Sequence, residues 1–156
     1  MTDMTGWIKT GDTQNFVMQA PEGSSGDLCE VEGDPDRYLY ELLFPDESIP
    51  PLLVDRYDAM PPGVPGANDA ERLAAIAEQS VAGIEAEADA PVERLESGPA
   101  EGQTAAHVVA LTVGGVHCLM RVQLDFFGKV FIAHWQGPAE HADMVRASLG
   151  TFDITL

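Results

Sequence analysis

Positive charge is the scarcest feature of this sequence. It has 8 lysine and arginine residues against 26 aspartates and glutamates, which gives a formal net charge of −18. The negative charge is unevenly spread, because residues 1–66 carry a net charge of −10, residues 67–103 of −7 and residues 104–156 of −1. A surface this acidic repels phosphate backbones and anionic headgroups, so we expect neither a nucleic-acid nor a membrane-surface partner. A basic protein, a cation or solubility alone remain as explanations of the acidity.

Long apolar runs and cysteines are also scarce. No run approaches the roughly 18 apolar residues that cross a bilayer, and the first residues, MTDMTGWIKTGDTQNF, lack the apolar core of a secretory signal. We therefore expect a cytoplasmic protein with no membrane insertion. The 2 cysteines, Cys29 and Cys118, do not make a disulfide framework and are expected to be free thiols. The length of 156 residues suits a single domain over residues 1–156.

The first half of the chain predicts three short strands and one long helix. The strands are expected over residues 15–21, 37–44 and 51–57, and the proline-glycine linker MPPGVPG follows the third. Asn68 can then cap a helix, and Glu71, three residues later, completes a capping box. Apolar residues at helical spacing predict that this helix runs from Asp69 to Glu87.

The second half predicts strands followed by a short helix. A strand is expected over residues 91–96, and from Thr104 a meander of strands is separated by tight turns at Gly114-Gly115 and Phe127-Gly128. Two-residue turns would place His134 opposite Arg121, on one face with His117. The side chains expected on the other, apolar face are Val109, Leu111, Val113, Val116, Cys118, Met120, Val122, Leu124, Phe126, Phe131, Ala133 and Trp135. The last helix is expected from Pro138 to Gly150.

These elements predict an α+β fold with a single antiparallel sheet of about six to seven strands. Two main helices pack on it as an α/β/α sandwich, in the order β-β-β-α-β-β-β-β-α. The plan, with the segments FVMQAP, LLVD and SLGTFDI in it, resembles the PsbP-like and DcrB-like superfamily over nearly the whole chain. The resemblance is topological and carries no diagnostic motif. It implies a non-catalytic adaptor, chaperone or accessory domain, and no functional residue can be carried over from it.

The segment VHCLMRVQLDFFGKVFIAHW holds the residues that suggest chemistry most strongly. Neighbouring residues on a strand point to opposite faces, so His117 and Cys118 do not form a thiolate-imidazole pair. A metal held by His117 and His134 would have the guanidinium of Arg121 beside it, which disfavours the site. The sequence also lacks a nucleophile elbow and a phosphate-binding glycine loop. We therefore predict no catalytic residue and no cofactor, with an unrecognised small hydrolase as an alternative.

The segment EVEGDPD is the most concentrated acidic stretch. Its alternating carboxylates are those of Glu30, Glu32, Asp34 and Asp36. Pro35 stands where a calcium loop of the EF-hand type needs a flexible glycine, and no pair of helices flanks the segment. An exposed acidic loop is the favoured interpretation. A weak metal site at these four residues, in a cation-binding accessory protein, is the alternative.

A proline-interrupted apolar stretch indicates a binding surface. The candidate partner-binding residues are Leu42, Leu43, Phe44, Ile49, Leu52 and Leu53. Prolines at positions 45, 50 and 51 make it hard to bury all six side chains, and an exposed part would form a groove or edge for a peptide or helix. A strand pair packed in the core is the alternative. The sequence thus predicts a non-catalytic protein-binding or chaperone-like accessory module, of the kind that serves a secretion or assembly system. Its partner would be another protein with basic or exposed apolar segments, and a homodimer stays open.

Overall fold

A seven-stranded antiparallel sheet forms the centre of the molecule, which a computed structural model describes over residues 2–155. In chain order the elements are β1 (Ile8–Thr10), β2 (Phe16–Ala20), β3 (Ser25–Leu28), β4 (Leu39–Leu43), β5 (Leu52–Tyr57), α1 (Asp69–Glu87), β6 (Val92–Ala100), β7 (Ala106–Val113), β8 (Val116–Leu124), β9 (Val130–Pro138), α2 (Ala139–Gly150) and β10 (Asp153–Ile154). The large sheet has the order β3-β4-β5-β9-β8-β7-β6, and a small sheet has the order β1-β2-β10.

Helix α1 covers part of one face of the large sheet, termed here the α1 face. The side chain of Asn68 accepts a hydrogen bond of 2.9 Å from the backbone N–H of Glu71, and the Glu71 carboxylate accepts one of 2.6 Å from the N–H of Ala67. The first bond satisfies a donor that the helix N-terminus leaves free. The second reaches the residue before the N-cap, whereas a capping box has the carboxylate accept from the N–H of the N-cap residue itself. Leu73 and Val81 lie in the buried stripe that packs on β6, β7 and β8. The predicted bounds of this helix are confirmed.

Helix α2 and the small sheet share the opposite face, termed here the α2 face. Helix α2 packs on β8 and β9, and β2 adds its apolar side chains to the same core, where Phe16 contacts Tyr40 of β4 and Phe131 of β9. The ring of Phe16 lies between those of Phe152, at 4.9 Å between centroids, and Tyr40, at 5.1 Å. Such aromatic contacts add to the stabilisation that apolar burial provides. The main core of the protein therefore lies on the α2 face.

The predicted fold class is correct in its α+β character, its two helices and its antiparallel sheet, but the prediction of one sheet is wrong. The first predicted strand, β2, pairs with β1 and β10 in the separate small sheet. With 3 and 2 residues, β1 and β10 are too short to show the alternation by which a strand is recognised. The strand β3, with the sequence SGDL, is absent from the prediction because serine and glycine are typical of turns.

The register of β9 also differs from the prediction by one residue. The turn after β8 spans residues 125–129, and Oδ1 of Asp125 accepts hydrogen bonds of 2.8 Å from the N–H groups of both Phe127 and Lys129. This longer turn places His134 opposite Met120, not opposite Arg121. A slip of one residue moves every side chain of a strand to the other face. Phe131, Ala133 and Trp135 accordingly belong to the α2-face core, and not to the α1 face.

Candidate functional site

Part of the α1 face lies beyond the helix that covers the rest. On β4, β5 and β9 this area carries six side chains, termed here the open patch: Leu39, Glu41, Leu43, Leu53, Asp55 and His134. The strand registers place Leu53 between Glu41 and His134, and Leu39 opposite Asp55. The side chain of Leu43 is 48% exposed, while Leu53 is half-buried. Leu43 is the last residue of β4, and with Leu53 of the neighbouring strand it forms the apolar part of this surface. Exposed apolar side chains that cluster in this way are a feature of surfaces that contact another molecule.

The structure divides the six predicted partner-binding residues between the core and the surface. Leu42, Phe44 and Leu52 are buried in the α2-face core, and Ile49 is partly buried against it. Alternation along β4 and β5 sends their neighbours Leu43 and Leu53 to the opposite face. Packing in the core therefore accounts for four of the six residues, of which Leu42 and Leu52 lie on the strand pair and Phe44 and Ile49 in the loop between the strands. The predicted surface is reduced to Leu43 and Leu53.

An ionic cluster lies at one end of the open patch. Arg37 donates hydrogen bonds of 2.9 and 2.7 Å to Oδ1 of Asp55, and Nε2 of His134 lies 2.8 Å from Oδ2. A carboxylate only accepts hydrogen bonds, so Nε2 carries the proton. Burial raises the pKa of Asp55, but the hydrogen bonds from His134 and Arg37 outweigh this effect and hold it below its ordinary value. Within residues 2–155 no hydroxyl or thiol is hydrogen-bonded to His134, so the cluster lacks a nucleophile.

The acidic loop borders this cluster. Glu30, Glu32, Asp34 and Asp36 are all exposed between β3 and β4, and Asp34 and Asp36 line a hollow of about 510 Å³ together with Asp55. Between residues 2 and 155 the structure brings together no group of three or more His, Cys, Asp or Glu side chains that could hold a metal ion. The four predicted metal ligands thus add negative charge beside the open patch without forming a coordination site.

The histidines of the meander do not lie together. His117 is on the α2 face and His134 on the α1 face, so the expectation that they share a face is wrong. The cause is the five-residue turn after β8. The separation of His117 from Cys118 by the strand alternation is as predicted, and Cys118 is buried among apolar side chains on the α1 face.

The two thiols are expected to react at very different rates. Cys118 is buried, and that burial raises the pKa of its thiol. Cys29 is only partly buried, although burial and the carboxylates of Glu41 and Asp27 raise its pKa as well. Because the thiolate is the reactive form and must be reached by reagent, a disulfide reagent at pH 8 should modify Cys29 alone, more slowly than free cysteine. The thiol of Cys118 should react only in denaturant.

The absorbance of the thiol that the reagent releases counts the modified cysteines, first in a native phase and then in a phase after denaturant is added. The variant Cys29→Ser should lose the native phase and keep the one seen in denaturant. Rapid modification of two thiols in the native protein would contradict the buried position of Cys118.

Comparison with known proteins shows a fold and not a family. No family model matches the chain, and no curated protein matches its sequence. The solution structure of cyanobacterial PsbP (CyanoP) from Synechocystis matches with a TM-score of 0.62 and 16% sequence identity, over 99% of this chain and 97% of that chain. The chain therefore has a PsbP-like fold, as the order of its elements predicted. Across residues 2–155, no helix combines the length and the apolar character needed to cross a bilayer.

Proposed function

We propose that this protein is a non-catalytic accessory module that binds another protein through the open patch. The observation that carries the proposal is the exposure of Leu43 on a sheet face that α1 leaves uncovered. Its neighbour Leu53 extends the apolar area onto β5. The PsbP-like fold supports an accessory role, because the superfamily that the sequence resembles is known for adaptor and chaperone functions.

The charges around the open patch define the chemistry of the partner. Glu41 and Asp55 belong to the patch, Asp27 pairs with Glu41 on the same face, and the acidic loop borders it. A segment with apolar side chains flanked by lysine or arginine complements this surface. The leucines then supply most of the affinity, while the acidic groups speed association and select among partners.

The charge of the open patch also bears on whether the partner is a second copy of this chain or a different protein. A second copy of this chain would bring another charge of −18 to an already acidic patch, which disfavours a homodimer through it. A client protein with a basic amphipathic segment fits better, in a chaperone-like role within a secretion or assembly system. We place this activity in the cytoplasm.

Affinity capture from a lysate of the source cells, read by mass spectrometry, tests the proposal. Leu43→Asp puts a charge in the open patch, and Leu28→Asp is its matched control, because Leu28 is 56% exposed but points to the opposite face. Leu53→Asp is a less clean probe, since it places a carboxylate directly opposite Glu41. We expect one stoichiometric protein with the wild type and with Leu28→Asp, and none with Leu43→Asp. Equal capture by all three proteins, or by none, contradicts the proposal.

A further inference from the structure

The α2 face has an uncovered end of its own, at the edge of the sheet opposite the open patch. Helix α2 packs on β8 and β9, so β6 and β7 extend beyond it and leave a groove of about 330 Å³. We term it the Arg121 groove. Its apolar lining is formed by Ala100, Val108, Ala110, Leu119 and Leu149, and its charged lining by Glu96, Glu101, Arg121 and Arg146.

Arg121 is the unusual member of this lining, because it is only 3% exposed and yet no carboxylate pairs with it. Its Nε donates a hydrogen bond of 2.9 Å to Oε1 of Gln123, and its Nη2 donates one of 2.8 Å to the carbonyl oxygen of Glu101. Both acceptors are neutral. Asp153 is held one step further away, by a bond of 2.8 Å from Nε2 of Gln123. Among residues 2–155 the guanidinium forms no ion pair.

A buried guanidinium without a direct counter-ion favours the arrival of an anion. Burial lowers the pKa of Arg121, but the guanidinium keeps its charge. It has five N–H donors, of which two have protein acceptors. Burying a charge without a partner is costly, so an anion that pairs with it gains strong, charge-assisted hydrogen bonds. The fixed bonds to Gln123 and Glu101 hold the guanidinium in place before any ligand arrives.

The rest of the groove accepts an apolar body. Ala110, Leu119 and Leu149 are buried in its lining, and Val108 is half-buried there. The volume lies at the lower end of the range of small-molecule sites, which are mostly apolar with a few placed polar groups. At the rim, Arg146 of α2 forms an ion pair with Glu96 of β6, so its charge is already matched. The charged side chains that line the groove are two carboxylates, Glu96 and Glu101, and two guanidinium groups, Arg121 and Arg146, so their charges balance. Repulsion of an anion is therefore weaker here than the net charge of −18 would suggest.

From this geometry we infer that the Arg121 groove binds a small amphipathic anion, with its carboxylate or phosphate head on Arg121 and its hydrocarbon part along Val108, Ala110 and Leu119. This activity is separate from the protein partner proposed above, because the groove and the open patch lie on opposite faces and at opposite ends of the sheet. Either site can be removed without the other.

Calorimetric titration with octanoate, octyl phosphate and octan-1-ol tests the inference. The three probes share one chain and differ in the head group. We expect one molecule of octanoate or octyl phosphate to bind per chain, and octan-1-ol to bind at least roughly tenfold more weakly, since it cannot form the charged hydrogen bonds. The ratio of the two anions then identifies the preferred head group. Equal binding of octan-1-ol, or binding of none of the three, overturns the inference.

Two substitutions assign the binding to this groove. Arg121→Met removes the charge, and Val108→Phe, directly opposite Arg121 across β7 and β8, fills the groove but keeps the charge and its two acceptors. Each should weaken octanoate binding by roughly tenfold or more, while Val116→Phe, an exposed position on the α1 face, should leave it unchanged. If Arg121→Met does not fold, Val108→Phe and the octan-1-ol comparison decide the matter. Wild-type affinity in Val108→Phe overturns the inference.

Discussion

Leu42→Asp is expected to unfold the protein or to lower its Tm by at least about 10 °C, the largest effect that we foresee for a single substitution. Leu42 of β4 is completely buried in the α2-face core. A carboxylate there is removed from water without a counter-ion, and the cavity of the lost leucine adds to the cost. Together these effects destabilise the fold by at least about 5 kcal/mol.

The adjacent residue gives the matched control. Leu43→Asp makes the same chemical change one position along β4, where the side chain is 48% exposed. We expect its free energy of unfolding to change by less than about 1 kcal/mol, because surface substitutions seldom do more. Thermal unfolding followed by far-UV circular dichroism measures both variants. Similar losses of stability in the two would show that Leu43 is a core residue, and would remove the open patch as a binding surface.

Trp135→Ala is expected to destabilise the protein by about 3–5 kcal/mol. The indole is 1% exposed, and its Nε1 donates a hydrogen bond of 2.8 Å to the carbonyl oxygen of Pro50. Removal of the ring leaves a cavity and an unpaired carbonyl group. Gly137 helps to explain the fit, because a Cβ atom at that position would overlap the indole ring. Gly137→Ala is therefore expected to destabilise the fold too, by displacing the same ring.

Urea unfolding curves of Trp135→Ala and Trp7→Ala provide the comparison. Trp7 is half-buried near the N-terminus, and we expect its replacement to cost much less than that of Trp135. An equal cost for the two tryptophans would contradict the placement of Trp135 in the α2-face core. It would also call into question the register of β9, on which that placement depends.

Local patterns in the sequence were sufficient to predict several parts of the fold. The Asn68 cap and the apolar spacing after it defined α1 to the residue. The Gly114-Gly115 turn gave the correct pairing of β7 with β8, in which Leu111 lies opposite Cys118. The turn after β8 was predicted wrongly, because Phe127-Gly128 was interpreted as a two-residue turn. The hydrogen bonds of Asp125 that lengthen the turn are local, and the ability of an aspartate to accept bonds from the N–H groups that follow it was not weighed. One misjudged turn then reversed the faces of the whole of β9.

The candidate sites were predictable to a smaller extent. The alternation of β4 and β5 could have separated Leu43 from Leu42, but the proline-interrupted segment did not show which face α1 would leave open. Asp55 and His134 are 79 residues apart, so no motif connects them. Arg121 was considered only as an obstacle to a metal site, and nothing in its neighbourhood along the chain showed that it would be buried without a carboxylate.

The affinity of the captured partner for three purified proteins shows whether the open patch is the binding surface. The measurement compares the dissociation constants of the wild type, Leu43→Asp and Leu28→Asp under one ionic strength. We predict that Leu43→Asp weakens binding by roughly 30-fold or more, as expected for a main apolar contact, and that Leu28→Asp stays within about threefold of the wild type. Equal effects of the two substitutions, or a larger effect of Leu28→Asp, would contradict this prediction.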